Sequence, residues 1–214
     1  MSPSEDGVRA TVQAMIDNGL VAAGYTYLNL DDGIVNADRA ANGDLVPDSK
    51  GFPNGWQPVA DFIHSKGMKF GIYTDRGTQT CGGRAGAFGY EEQDAAFYAA
   101  NGIDYVKEDS CGGSQDHQTA YTEYAKMRDA LNKTGRQMFF SLCGWEAWYS
   151  AYCHALGNSC RIGPDDSNWA GVLVRACVRR LCVGCSARRK SEAACVAHGG
   201  VSAPPPAATK LLLR

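Results

Sequence analysis

Two kinds of stretch alternate along the 214 residues. Amphipathic segments with apolar residues three and four apart predict helices over 5–18, 56–66, 90–101, 115–133 and 145–156. The first puts Val8, Val12, Met15 and Ile16 near one face, and the second does the same with Val59, Phe62 and Ile63. A glycine closes each of them: Gly19, Gly67, Gly102, Gly135 and Gly157. Short apolar runs over 24–30, 68–73, 103–107, 137–143 and 160–162 predict strands, nearly continuous in the way buried parallel strands are. Helix, glycine, strand, polar loop is the βα rhythm of a parallel sheet. A doubly wound sheet and an α/β barrel both fit it. Polar side chains just past every strand end favour the barrel: Asp31-Asp32, Tyr73-Asp75, Lys107-Asp109, Cys143-Trp145 and Arg161-Asp165. A barrel builds its site from all its strand ends, whereas a doubly wound sheet gathers it at one switch point.

Charge changes this picture at one place. Residues 1–173 hold 13 Lys and Arg against 22 Asp and Glu, a net of −9, whereas 174–214 hold 8 against one, a net of +7. We therefore expect one domain over 1–173 and a basic tail over 174–214. No apolar run has the length of a membrane span. The first residues lack a signal-peptide pattern. No G-x-G-x-x-G or P-loop follows a strand. The nine cysteines are odd in number, so at least one has no partner within the chain, and spacing does not settle the pairing. Asn132-Lys-Thr134 is a glycosylation acceptor in a secreted protein.

The strand ends are rich in carboxylates: Asp31, Asp32, Asp75, Asp109, Asp165 and Asp166. Lys107, Arg161, Tyr73, Trp145 and Trp148 accompany them. Carboxylates in number suit a hard cation or a sugar, and the aromatics tip the choice toward a sugar. The four histidines do not gather at strand ends, which argues against a zinc hydrolase. A retaining glycosidase needs one ionised and one protonated carboxyl. Asp109 beside the Lys107 ammonium suits the ionised one. Asp165 or Asp166 suits the acid, or else forms a turn or helix cap before Ser167. Tyr73 reads equally as a core aromatic and as a binding residue.

Six segments together resemble a known family. They are Leu28-Asn-Leu-Asp-Asp32, Gly71-Ile-Tyr-Thr-Asp75 with Thr80-Cys81, Gly89-Tyr-Glu-Glu-Gln-Asp94, Asp104-Tyr-Val-Lys-Glu-Asp-Ser-Cys111, Phe140-Ser-Leu-Cys-Gly-Trp145 and Arg161-Ile-Gly-Pro-Asp165. They look like the α-galactosidases of glycoside hydrolase family 27 from about residue 7 to 173. The resemblance implies a (β/α)8 TIM-type barrel, incomplete here with about five of eight βα units. It implies retaining removal of terminal α-galactosyl groups without metal or cofactor. The partner is then an α-galactoside, with no nucleic acid or membrane, in a secreted, vacuolar or lysosomal setting. It makes Asp109 the nucleophile and Asp165 the acid/base, four residues after Arg161. Asp31, Asp32, Tyr73, Lys107, Arg161 and Trp145 become sugar-binding residues, and Cys81 and Cys111 become a disulfide.

The sequence departs from that pattern in four ways. Gly144 stands where many relatives have a glutamate that reads the sugar 2-position, which leaves N-acetylgalactosamine and arabinopyranose substrates open and Glu146 as a candidate substitute. Gly33 replaces a cysteine of a second disulfide, and the first strand is expected to be missing. The loop from Gly163 to Trp169 is one residue short, which leaves Asp165 less firmly assigned than Asp109. Past Leu173 the resemblance stops. The Cys182-x2-Cys185 pair and basic residues there could serve metal or nucleic acid, but the composition points to a disordered end. With open parallel edges the 214-residue chain is expected to be marginal, and the alternative to an enzyme is an inactive or sugar-binding remnant.

Overall fold

The computed structural model describes residues 3–161, 163 and 165. The chain divides after Pro164, and of the second unit, Asp165–Arg214, only Asp165 is described. Asp166, the expected boundary at residue 173 and the basic tail lie outside the described residues.

Five strands form one parallel sheet: β1 (Tyr27–Asn29), β2 (Lys69–Asp75), β3 (Tyr105–Asp109), β4 (Phe139–Cys143) and β5 (Ser159–Arg161). Their order in space is their order in sequence. A doubly wound sheet would reverse direction at a switch point. An unbroken sequential order instead makes a curled wall of an incomplete TIM barrel. Helices α1 (Glu5–Asp17), α2 (Gln57–Ser65), α3 (Glu91–Ala100) and α4 (His117–Lys133) connect or precede the strands. Ser4 caps α1 by accepting from the Gly7 N–H, and Asp116 caps α4 by accepting from Thr119.

Side chains alternate across the sheet. Phe70 and Ile72 of β2, Val106 of β3 and Leu142 of β4 are buried with Ile63, Tyr98, Tyr124 and Met127 of the helices. Along β3, Tyr105, Lys107 and Asp109 share the other face. Low on that face Tyr105 stacks on Phe139 at 5.2 Å and meets the edge of Tyr27 at 6.2 Å. The long loop after β1 is anchored by Arg39, whose guanidinium makes two hydrogen bonds of 2.6 and 2.7 Å to the buried Asp94 of α3.

Three expectations need correction. β1 begins at Tyr27 rather than Gly24, because 19–24 forms turns with Gly19 and Gly24 at φ 73° and 99°. β3 runs on to Asp109, so that residue ends the strand instead of following it, and Cys111 is off it. The single helix over 145–156 is two pieces, a 3-10 turn Ala147–Ala151 and a short α5 (Cys153–Leu156). Its aromatic residues pack on one another instead of along one helical face: Trp148 stacks between His117 at 4.0 Å and Tyr149 at 3.8 Å. Cys153 then pairs with Cys160 of β5. Among the described residues no helix is long and apolar enough to cross a membrane.

At the opposite end of the sheet from the carboxylate-rich strand ends, Asp104 ties three elements. Its oxygens accept from the Phe70 N–H at 2.9 Å and from Arg136 at 2.9 Å, and one lies 2.7 Å from His64 Nε2. Burial alone would raise this carboxyl, but the Phe70 N–H, His64 and the Lys69 charge hold it below the ordinary aspartate range. A depressed carboxyl adds stability above its unfolded pKa and loses it as the pH falls through the folded value. Asp104→Asn is expected to cost about 1–3 kcal/mol at neutral pH. Below pH ~4 the deficit should shrink toward zero, as seen in urea unfolding of both forms across pH.

Candidate active site

Three parallel strands end side by side, and the register puts Tyr73 opposite Lys107 and Asp75 opposite Asp109. The Lys107 ammonium sits over the Tyr73 ring, 4.9 Å from its centroid. Its closest carboxylate is Asp31 at 2.7 Å, while Asp109 Oδ2 is 3.8 Å away. Lys107 thus bridges the end of β1 and the end of β3. Burial alone would lower this amine, but the Asp31 hydrogen bond and the neighbouring carboxylates hold it above the lysine range. Reciprocally, burial would raise Asp31 and the Lys107 bond holds it below. Asp31 remains largely exposed, whereas Asp109 is buried.

Asp109 Oδ1 accepts the N–H of Ser110 at 2.9 Å. The Tyr73 phenol donates to Cys81 Sγ at 3.1 Å and lies beside Asp109, and burial pushes it far above the tyrosine range. The expected pair forms: Cys81 and Cys111 are disulfide-bonded, with Cα atoms 5.0 Å apart. Asp32 is engaged elsewhere than Asp31. Its oxygens accept from Thr80 Oγ1 at 3.0 Å and from the Gly82 N–H at 2.6 Å, which fastens the end of β1 to the loop carrying Cys81. Arg161 Nε donates to the Gly163 carbonyl at 2.7 Å, and one of its terminal nitrogens reaches Cys143 Sγ at 3.6 Å. Cys143 is a buried free thiol, pushed up to about 11 by burial first and Asp109 second. Trp145 is half-buried and holds φ at 63°, a left-handed backbone that costs a bulky residue about 1–2 kcal/mol. Asp165 is exposed and belongs to the second unit.

Two features go beyond the sequence reading, the first being what Asp75 holds. Asp75 is fully buried and accepts three backbone N–H groups, from Gly77, Cys111 and Gly112. Burial pushes it up to about 6 against those donors. It clamps the turn after β2 to the turn after β3, where Gly77 and Gly112 run so close that neither could carry a Cβ. The glycines were the readable trace of that crossing. The second feature is Tyr149, whose ring fills the space where a Gly144 Cβ would project. Glu146 lies on the rim, 4.0 Å from His117. Gly144→Ala is expected to destabilise the chain by about 1–3 kcal/mol through overpacking against Tyr149, measured by urea unfolding.

Asp75, Cys81, Asp109 and Cys111 bring ligand-type atoms within 4.8 Å of one another. Both sulfurs are spent in the disulfide and Asp75 is filled by backbone donors, so these four do not make a cation cage.

Comparison with known proteins agrees with the geometry. The family model described as alpha galactosidase A matches residues 2–170. The chain is 49% identical over 164 residues to alpha-galactosidase A of Cellvibrio japonicus, covering 75% of this chain and 39% of the relative. It is 43% identical over 172 residues to the alpha-galactosidase of Coffea arabica, covering 79% of this chain and 45% of the relative. The alpha-galactosidase of Saccharomyces cerevisiae solved with raffinose superposes with a TM-score of 0.71 at 39% identity, over 74% of this chain and 36% of that one. The chain thus spans less than half the length of these relatives. With a family model matched over most of its residues and the strand ends arranged as described, the chain belongs to the alpha galactosidase A family.

Proposed function

We propose that this chain forms the nucleophile-bearing wall of a retaining glycoside hydrolase that removes terminal α-D-galactosyl residues from oligosaccharides or glycoconjugates. The observation that carries the reading is the line Asp31, Lys107, Asp109, a charge ladder across two strand ends with Tyr73 against it. Asp109 is buried, accepts the Ser110 N–H at Oδ1 and has Oδ2 3.8 Å from the Lys107 ammonium. In the reading, a carboxylate oxygen of Asp109 attacks the anomeric carbon. The glycosidic oxygen leaves with a proton from Asp165. Asp165, now a carboxylate, takes a proton from water, and the water oxygen displaces Asp109 from the same carbon. Two inversions restore the α configuration. Lys107 offsets negative charge on Asp109 as the ester breaks.

The open half of Asp31, with Lys107, suits a pair of adjacent sugar hydroxyls, one accepting and one donating. We assign Asp32 to both the sugar and the loop that carries Cys81, and Arg161 and Trp145 to the far wall. The raffinose complex of the yeast relative supports an oligosaccharide as the substrate class. Two disulfides fit an oxidising compartment.

The test is hydrolysis of an aryl α-galactoside by the 214-residue chain, with the first-formed anomer of galactose read by proton NMR. α-Galactose as the first product supports the reading, and β-galactose overturns retention. A folded chain that binds galactose without releasing aryl alcohol overturns the enzyme in favour of a binding protein.

A further inference from the structure

Asp109 is held from behind by a side chain that no strand-end motif announces. Arg76 follows β2 and is 1% exposed. Its backbone N–H donates to the Asp109 carbonyl at 3.1 Å, and its Nε donates to Ser110 Oγ at 3.1 Å. It therefore grips both sides of the peptide whose N–H is bonded to Asp109 Oδ1. Ser110 is held again from the other side, with Oγ 2.7 Å from the Tyr124 hydroxyl. The remaining guanidinium nitrogens are also engaged, one with Glu123 of α4 and one with the Ser114 carbonyl at 2.6 Å. Its face lies 5.3 Å from the centre of the Tyr124 ring. Gly113 passes so near that a Cβ there would meet the guanidinium at 2.5 Å.

We propose that Arg76 is a positioning residue for Asp109, acting through Ser110. This rests on Asp109 being the nucleophile. A carboxylate at a strand end can rotate about two bonds. Here the bond from the Ser110 N–H selects one rotamer, and that N–H points correctly only while the Ser110 side chain is held. A single neutral partner would do this weakly, whereas a buried guanidinium with three fixed anchors does it rigidly. The charge is balanced by Glu123. Glu108, also buried nearby, is pushed well above the ordinary carboxylate range by burial, and neither of its oxygens has a hydrogen-bond partner among the described residues. Misplacing a nucleophile by about 1 Å can cost ~100-fold in rate.

Two variants test this. Ser110→Ala removes only the Oγ that Arg76 holds. Arg76→Met combined with Glu123→Gln removes the buried pair together, since losing Arg76 alone would leave a buried unpaired charge. The probe is 5-fluoro-α-D-galactosyl fluoride, which esterifies the nucleophilic carboxylate. The labelled fraction at saturation counts intact sites, and the rate per labelled site reports the aim of Asp109. Expected in both variants is a rate per site down about 10–100-fold, with half-saturating probe concentration within ~3-fold. A reduced labelled fraction at an unchanged rate per site means that Arg76 only stabilises the loop, and overturns the proposal. Hydrogen exchange of the Ser110 amide reads the bond to Asp109 without turnover. It should quicken at least ~10-fold in both variants, and unchanged protection overturns the proposal whether or not the chain is active. A wild-type chain that never labels, with the amide loosened in the variants, counts against the galactosidase reading while upholding the hold of Arg76 on Asp109.

Discussion

Asp109→Asn is expected to lower kcat on an aryl α-galactoside by on the order of 10^4–10^6-fold, with little change in melting temperature. The size follows from the role. An amide cannot form the glycosyl ester, so no partial version of the two-step path survives. What remains is binding and the acid. Stability should be nearly unmoved because the Asn side-chain oxygen can still accept the Ser110 N–H that now meets Asp109 Oδ1 at 2.9 Å. The new amide NH2 would face Lys107, 3.8 Å from the present Oδ2, and the ammonium keeps its stronger 2.7 Å bond to Asp31. Galactose binding should therefore persist within a few-fold, measured by calorimetry. Retention of more than about one hundredth of wild-type kcat would remove Asp109 from the nucleophile's place.

The second large effect belongs to the disulfide. Cys81→Ser with Cys111→Ser is expected to cost about 3.5 kcal/mol of unfolding free energy, the loop-closure value for a 30-residue span. The cost should not be confined to stability. The Cys81 loop also receives Asp32, through Thr80 and Gly82, and the Tyr73 phenol, through Sγ. Loosening it frees Asp32 and Tyr73, the two residues proposed to line the sugar on that side, so KM should rise more than kcat falls. Denaturant unfolding together with steady-state kinetics checks both halves. A variant with wild-type KM would show that Asp75, which joins the same two turns through Gly77, Cys111 and Gly112, suffices alone to hold them.

Much of the arrangement at the strand ends is legible in the sequence. Lys107 and Asp109 could be put on one face of a strand because side chains in strands alternate, and the polar residues past each apolar run marked one end of the sheet as the candidate site. The resemblance then paired Cys81 with Cys111, and the two are bonded. Spacing put Lys107 beside Asp109, and the two form an ion pair at 3.8 Å; what it did not show was a second partner. Asp109 is two residues away in the chain, yet Asp31, 76 positions distant, is the closer carboxylate. Likewise Glu146 stood as a candidate for the place Gly144 leaves open, but Tyr149 lies over Gly144 and Glu146 faces His117.

The division has a physical basis. Periodicity, glycine stops and strand-end polarity are local properties, set by backbone geometry and by which face a residue must bury. They determined the βα order, the parallel sheet and the end of the sheet at which carboxylates gather. Which charged groups meet across strands depends on register and on how closely two turns can approach. Only the fold decided that Lys107 bridges Asp31 and Asp109, that Asp75 clamps two turns, and that a buried Arg76 stands behind Asp109. A buried ion pair between the turn after β2 and α4 leaves no periodic trace in the sequence, since one arginine and one glutamate 47 residues apart look like any two surface charges until packing removes the water between them.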